Sequence, residues 1–182
     1  MAPCALAARM WSVVESRPTI GFLVALAVFL ADQLTKYIVS VPLQLQSLGH
    51  IDLLPIFDLT WVENRGISLG LFTADSVAAR WGLVAVTAII AVGVAWWMTR
   101  EPKRGDQIAL GAVLGGALGN IVDRSRFGYV VDFADLHFGT FRPFLVFNVA
   151  DAAISLGVLA LIQRAFHIKD PATAKAKASQ GE

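Results

Sequence analysis

The chain has 182 residues, 56% of them apolar and 16% charged, with a mean hydropathy of +0.62 and a formal charge of +1. That composition excludes an ordinary soluble domain, and so small a net charge excludes a global field for nucleic acid. A single cysteine, Cys4, excludes an intrachain disulfide and a multi-cysteine zinc or redox motif.

Residues 1–18 contain Arg9 and Arg17, end in Pro18, and read as an N-terminal extension. Thr19 to about Val41 is then the first membrane-length segment, since roughly 20 apolar residues cross the hydrocarbon. Its positive start suits a signal peptide. However, Phe29-Leu30-Ala31 is a poor cleavage site and Asp32-Gln33 continues the helical pattern, so the segment reads as a retained span. Residues 42–76 form the longest non-spanning stretch. Within it Ile56–Val62 is rich in strand formers, with Phe57, Leu59 and Trp61 alternating onto one face. Asn64-Arg65-Gly66 reads as a closing turn, and Thr73 or Asp75 as the cap of the next helix. A small sheet on the membrane surface is expected here, held by Leu53, Leu54, Trp61 and Phe72.

The second span is expected over about Val77–Met98, with Trp96-Trp97 as an interfacial belt. The third, about Gln107–Val122, contains Gly111, Gly115 and Gly119 at four-residue spacing, which lets a neighbouring backbone come close. The fourth is expected over about Phe147–Phe166. The fold class is thus mainly α: a polytopic four-transmembrane-helix bundle with a small β-sheet and loop on the outer face. Residues 1–18 form a cytoplasmic extension, 19–168 the transmembrane domain and 169–182 a flexible cytoplasmic tail. Four spans place both termini on one side. Arg9, Arg17, Arg100, Lys103, Arg104, Arg164, Lys169, Lys175 and Lys177 all fall there, nine of the fifteen basic residues, which marks that side as cytoplasmic.

With this topology Asp32, Asp123, Asp132 and Asp151 converge on one outer layer, whereas an ion path would spread ionisable groups through the full depth. Asn120 and Asp123 share a helix face, as do Asn148 and Asp151; Asp32 and Lys36 are four apart and can pair. Asn148 can equally be the N-cap of the fourth helix, with Asp151 favoured by its dipole. Asp123-Arg124 can be an interfacial ion pair, and Lys36 a snorkelling lysine. Asp52, Asp58 and Asp135 read as solvated loop residues. Gly66-Ile67-Ser68-Leu69-Gly70 matches the nucleophile-elbow string, but that motif needs a strand-to-helix turn and a histidine base, so it reads as a chance match. A Ser–Lys dyad using Lys36 is as weak. A metal site would draw on His137, Asp132 and Asp135, with His50 and His167 in distant segments; no metal is expected. Asp132 and Asp151 instead suit a two-carboxylate site in which one group holds a proton while the other acts as base. A membrane binding or transport protein, using the same cluster for an ion or headgroup, is the alternative.

Asp32-Gln-Leu-Thr-Lys36, Glu63-Asn64-Arg-Gly66 leading to Phe72, Gly115-Gly-Ala-Leu-Gly-Asn120-Ile-Val-Asp123-Arg124, Val130-Val-Asp132-Phe133 and Phe147-Asn148-Val-Ala-Asp151 resemble the successive boxes of bacterial lipoprotein signal peptidase, signal peptidase II. The resemblance runs in order from about residue 20 to 165. It implies a cofactor-free aspartyl endopeptidase of the bacterial inner membrane. Such an enzyme removes the signal peptide from diacylglyceryl-modified prolipoproteins, immediately before the lipidated cysteine, at the periplasmic face. The catalytic pair falls on Asp132 and Asp151. Supporting positions fall on Asp32, Asn64, Gly66, Asn120, Asp123, Arg124, Asn148 and Ala150, and Lys36 joins them through Asp32. The expected partners are prolipoproteins and the phospholipid bilayer, with no nucleic acid, for a monomeric protein.

Overall fold

The computed structural model describes residues 18–66 and 77–168. The N-terminal extension, the tail, and the expectations placed on Ser68, Phe72, Thr73 and Asp75 lie outside the described residues.

Among the described residues, four helices are long and apolar enough to span a bilayer: α1 (Thr19–Ser40), α3 (Val77–Arg100), α4 (Arg104–Phe127) and α5 (Val149–Ile168). At 1.5 Å per residue the 22 residues of α1 extend about 33 Å, enough for the hydrocarbon core. A single turn, α2 (Leu45–Leu48), follows α1. The bundle is built around α4, which packs against α1, α3 and α5. Its apolar stretch is 61% buried, against 6% in α3. Glycine makes this centrality possible. A methyl group on Gly111 would strike the Gly21 carbonyl and one on Gly115 the Ala25 carbonyl; on the other side, one on Gly116 would lie 2.5 Å from the Ala150 carbonyl. The α4 backbone therefore lies directly on two neighbours: the four-residue glycine spacing predicts one close approach, which is to α1, and Gly116, outside that spacing, admits α5.

α4 is longer than its apolar run. It continues past Val122 until Gly128, at φ 90°, returns its N–H to the Arg124 carbonyl at 3.1 Å. Asp123 and Arg124 are therefore helical. Arg80 of α3 donates to the Arg124 carbonyl (2.6 Å) and the Ser125 carbonyl, so a basic side chain satisfies the helix end.

Strands β1 (His50–Leu54), β2 (Phe57–Asn64) and β3 (Val130–Leu136) form an antiparallel sheet in that order. Trp61 packs with Leu59, Val39 and Leu45 beneath it, as expected of the alternating face, whereas Leu53 and Leu54 are exposed. Asp58 and Asp135 are not solvated loop residues: both are buried strand residues, paired across β2 and β3, while Asp52 is exposed on β1. Phe147 is also not helical. It bridges to Ala134 through bonds of 2.8 and 3.0 Å, so the fourth helix starts at Val149. That bridge sets the returning chain beside β3, and Asn148 lands next to Asp132.

Candidate active site

Three elements meet at one end of the bundle: the C-terminal half of α4, strand β3 and the first turn of α5. Asp132 comes from the middle of β3 and is 1% exposed. Its Oδ2 accepts from Asn64 Nδ2 at 3.0 Å, and its Oδ1 from Asn148 Nδ2 at 2.6 Å. After a bulge between Leu59 and Val62 the register sets Val62 opposite Asp132 and Asn64 opposite Val130, so Asn64 reaches Asp132 on the diagonal. Asn148 precedes α5, and its Oδ1 accepts the Asp151 N–H at 2.9 Å, an N-cap bond to N3. Asp151 in turn accepts from Asn120 Nδ2 at 2.9 Å. One amide therefore holds Asp132 while ordering the helix turn that carries Asp151. The N-cap and the site-building readings of Asn148 are the same geometry.

Burial pushes the Asp132 carboxyl up to about 6, and the neighbouring Asp151 charge pushes the same way. The amides of Asn64 and Asn148 and the Lys36 ammonium oppose that rise. A carboxyl in this state both gives and takes a proton near neutral pH.

Behind the pair lies a buried ionic layer. Lys36 is 5% exposed, so it does not snorkel. Its ammonium reaches Asp32 Oδ2 at 2.8 Å, Asp123 Oδ2 at 2.8 Å and Asn120 Oδ1 at 3.2 Å. Asp123 therefore pairs with Lys36 rather than with its neighbour Arg124, and also accepts the Val131 N–H at 3.3 Å. Asp32 Oδ1 takes the Ala150 N–H at 3.0 Å. Gln33, not singled out from the sequence, links the layer by donating to Asp123 (3.0 Å) and Asp32 (3.2 Å). Its signal was an amide in a membrane-length helix, next to a carboxylate. Ala150 is fully buried, and its carbonyl lies where a side chain on Gly116 of α4 would otherwise go. Arg124 lies within electrostatic reach of Asp151, Asp132 and Asp123. Its Nε is buried and has no hydrogen-bond partner among the described residues. A side chain on Gly66 would meet Leu83 at 2.8 Å and the Arg124 guanidinium at 3.4 Å. A cleft of about 350 Å³ between the end of β2 and the segment before α5 reaches Asp132, with Asn64, Gly66, Leu145 and Val146 on its walls.

His137 and Asp135 do not join Asp132: Asp132 and Asp135 are three residues apart on one strand, so they face opposite ways. His50, expected to be distant, lies within 3.5 Å of Asp58, as His137 does at 2.8 Å.

Residues 24–167 match the family of signal peptidase (SPase) II. The chain belongs to the signal peptidase II family. It is 60% identical over 152 residues to the lipoprotein signal peptidase of Sphingopyxis alaskensis, covering 84% of this chain and 88% of that one. It is 53% identical, with the same coverages, to the lipoprotein signal peptidase of Rhizorhabdus wittichii. A bacterial membrane enzyme solved in meso at 1.9 Å superposes with a TM-score of 0.72 at 28% identity, covering 86% of this chain and 97% of that one. Another, at 2.3 Å, gives 0.73 at 25% identity, covering 86% and 93%. Membership of the signal peptidase II family makes the protein a multi-pass membrane protease rather than a transport or headgroup-binding protein.

Proposed function

We propose that this protein cleaves prolipoprotein signal peptides by aspartyl chemistry, with Asp132 and Asp151 as the reacting pair. The observation that supports the reading most is the amide bridge: Asn148 bonds Asp132 and the backbone of Asp151 together, beside a cleft that reaches Asp132. With the Asp132 carboxyl raised to about 6, Asp132 takes the role of proton holder, and Asp151, in the first turn of α5, takes the role of base. Asp151 removes a proton from water as the oxygen attacks the scissile carbonyl. Asp132 gives its proton toward the carbonyl oxygen, and the tetrahedral intermediate then breaks its C–N bond as that nitrogen is protonated. Asn64 and Asn120 hold the two carboxyls, Arg124 adds positive charge beside them, and Lys36 neutralises Asp32 and Asp123 underneath.

On this reading the substrate is a diacylglyceryl-modified prolipoprotein, cut just before its lipidated cysteine. The site works at the periplasmic face and both termini are cytoplasmic, in keeping with the basic residues of the α3–α4 turn. Residues 19–168 suffice as a monomeric catalytic unit, with 1–18 and 169–182 as cytoplasmic appendages. The test is to incubate purified protein in detergent with diacylglyceryl prolipoprotein and with its unlipidated form. Cleavage before cysteine in the first alone is expected. Retained turnover in well-folded Asp132→Asn or Asp151→Asn would remove that residue from the reaction.

A further inference from the structure

Away from the bundle, the sheet carries a second cluster of ionisable groups. Asp52, Asp58 and Asp135 occupy one cross-strand row over β1, β2 and β3. Like charges placed directly opposite one another are destabilising. Arg142 offsets Asp135, its Nε 3.4 Å from Oδ1. Among the described residues, Asp52 and Asp58 have only imidazoles within ion-pair distance: His50 Nε2 lies 3.0 Å from Asp52 Oδ1 and 3.5 Å from Asp58 Oδ2, and His137 Nε2 lies 2.8 Å from Asp58 Oδ2.

The hydrogen bonds around His50 decide which of its nitrogens faces the carboxylates. Thr60 Oγ1 donates its one proton to Asp135 Oδ2 at 3.1 Å. The contact of 2.9 Å between Thr60 Oγ1 and His50 Nδ1 must then be donated by the imidazole N–H. Nε2 is the ring nitrogen turned to two carboxylate oxygens, in contact with Asp52 Oδ1 at 3.0 Å, and it is the atom a metal would take there. Histidine metal ligands show this arrangement, their other N–H being fixed through hydrogen bonds that end on a carboxylate. Asp58 is held in the same manner. The N–H of Leu53, at the β1 bulge, donates to Asp58 Oδ1 at 3.3 Å, which turns Oδ2 toward the imidazoles.

We propose that His50 Nε2, Asp52 Oδ1 and Asp58 Oδ2 form a divalent transition-metal site of the zinc class, with His137 bracing Asp58 from the other side. One donor atom from each of His50, Asp52 and Asp58 falls within 4.8 Å of the others. A proton on Nε2 points along one bond and serves one oxygen at a time, whereas a central cation satisfies all three donors together. The imidazole nitrogen selects zinc and its neighbours over calcium or magnesium. The adjoining cleft, about 430 Å³ and bordered by Asp52, Asp58 and His137, leaves room for water as a further ligand. The metal would join β1 to β2, the strand that also supplies Asn64 to the bundle.

The test uses the full-length, tag-free protein in detergent, with Cys4→Ala to remove the thiol. After chelation it is titrated at pH 7.5 with zinc chloride by calorimetry and with cobalt(II) chloride by visible absorption. One equivalent of metal is expected, with intense cobalt bands of a low-coordinate N/O site. Asp52 has a 91% exposed side chain, so Asp52→Asn folds normally, and it should bind at least about 10-fold more weakly. Thr60→Val, which frees the His50 ring, should also lose about 10-fold. Absent saturable binding, or equal affinity in Asp52→Asn and His50→Gln, overturns the site, and so does an Nε2–H at neutral pH that persists when zinc is added. None of these readouts depends on whether Asp132 and Asp151 are catalytic.

Discussion

At the scale of single residues, the pair Asp132 and Asp151 differ in surroundings although their chemistry is the same. Substituting either by Asn keeps shape and removes the acid; turnover is expected to fall by about 10²–10⁴, with the thermal unfolding profile kept as the check on folding. The carboxyl of Asp132 sits at about 6 partly because Asp151 is negative, so Asp151→Asn should lower it, while Asn64→Leu, which removes a donor favouring the charged form, should raise it. Infrared titration of a labelled aspartate reads both shifts, and an unmoved Asp132 would separate the two groups. On the proposed mechanism, in which Asp132 holds the proton, cleavage should decline as pH rises past about 6. In folding terms the sign is the same: a carboxyl raised above its ordinary 3.8 adds stability that is fully present below that value and is lost as pH rises through 6. That Asp132 and Asp151 gather in one cluster was legible because acids next to membrane-length segments are rare. The partner of Asp123 was not, since spacing rules cover neighbours on one helix and Lys36 comes from another helix altogether.

Individual elements show the same division. The four spans could be read from their apolar runs, and Gly111, Gly115 and Gly119 foretold a closely packed neighbour for α4, though not that it would be α1. Strands β1 and β3 escaped because their residues, His50-Ile-Asp52 and Asp132-Phe-Ala-Asp135, look polar, and most of the partners that satisfy them come from other segments of the chain. The true start of α5 escaped for a related reason: Phe147 is apolar enough for a span but is taken by the sheet. Gly119→Ala would drive a methyl into the Asp32 carboxylate, so a loss of roughly 1–3 kcal/mol is expected together with a fall in activity. Gly93→Ala, where nothing lies within 4 Å, is the control that should leave both unchanged. Asn148→Ala removes a helix cap, worth about 1 kcal/mol, and also takes a donor from buried Asp132; its activity should fall further than the cap alone explains.

For the molecule as a whole, the outward surface is the deciding feature. Ile89 at the middle of α3 is 72% exposed, and Val92, Leu156 and Leu26 are exposed as well, a distribution that only an apolar solvent makes stable. In water Ile89→Arg would be nearly silent. In a bilayer it should raise the insertion free energy by about 3 kcal/mol, read as a lower fraction of correctly inserted chains. The interior has the opposite sensitivity: Lys36→Met strands Asp32 and Asp123 without their cation, and roughly 3–5 kcal/mol of lost stability is expected in detergent unfolding. The position of that lysine also bears on biogenesis. Because Asp32 and Lys36 lie one turn apart on α1, which leaves the ribosome before α4, this segment travels through the translocon as an electrically neutral unit, and its acid stays masked until α4 arrives. Only then does the ammonium take on Asp123 as well, so the same side chain that escorts one carboxylate into lipid later clamps two helices together.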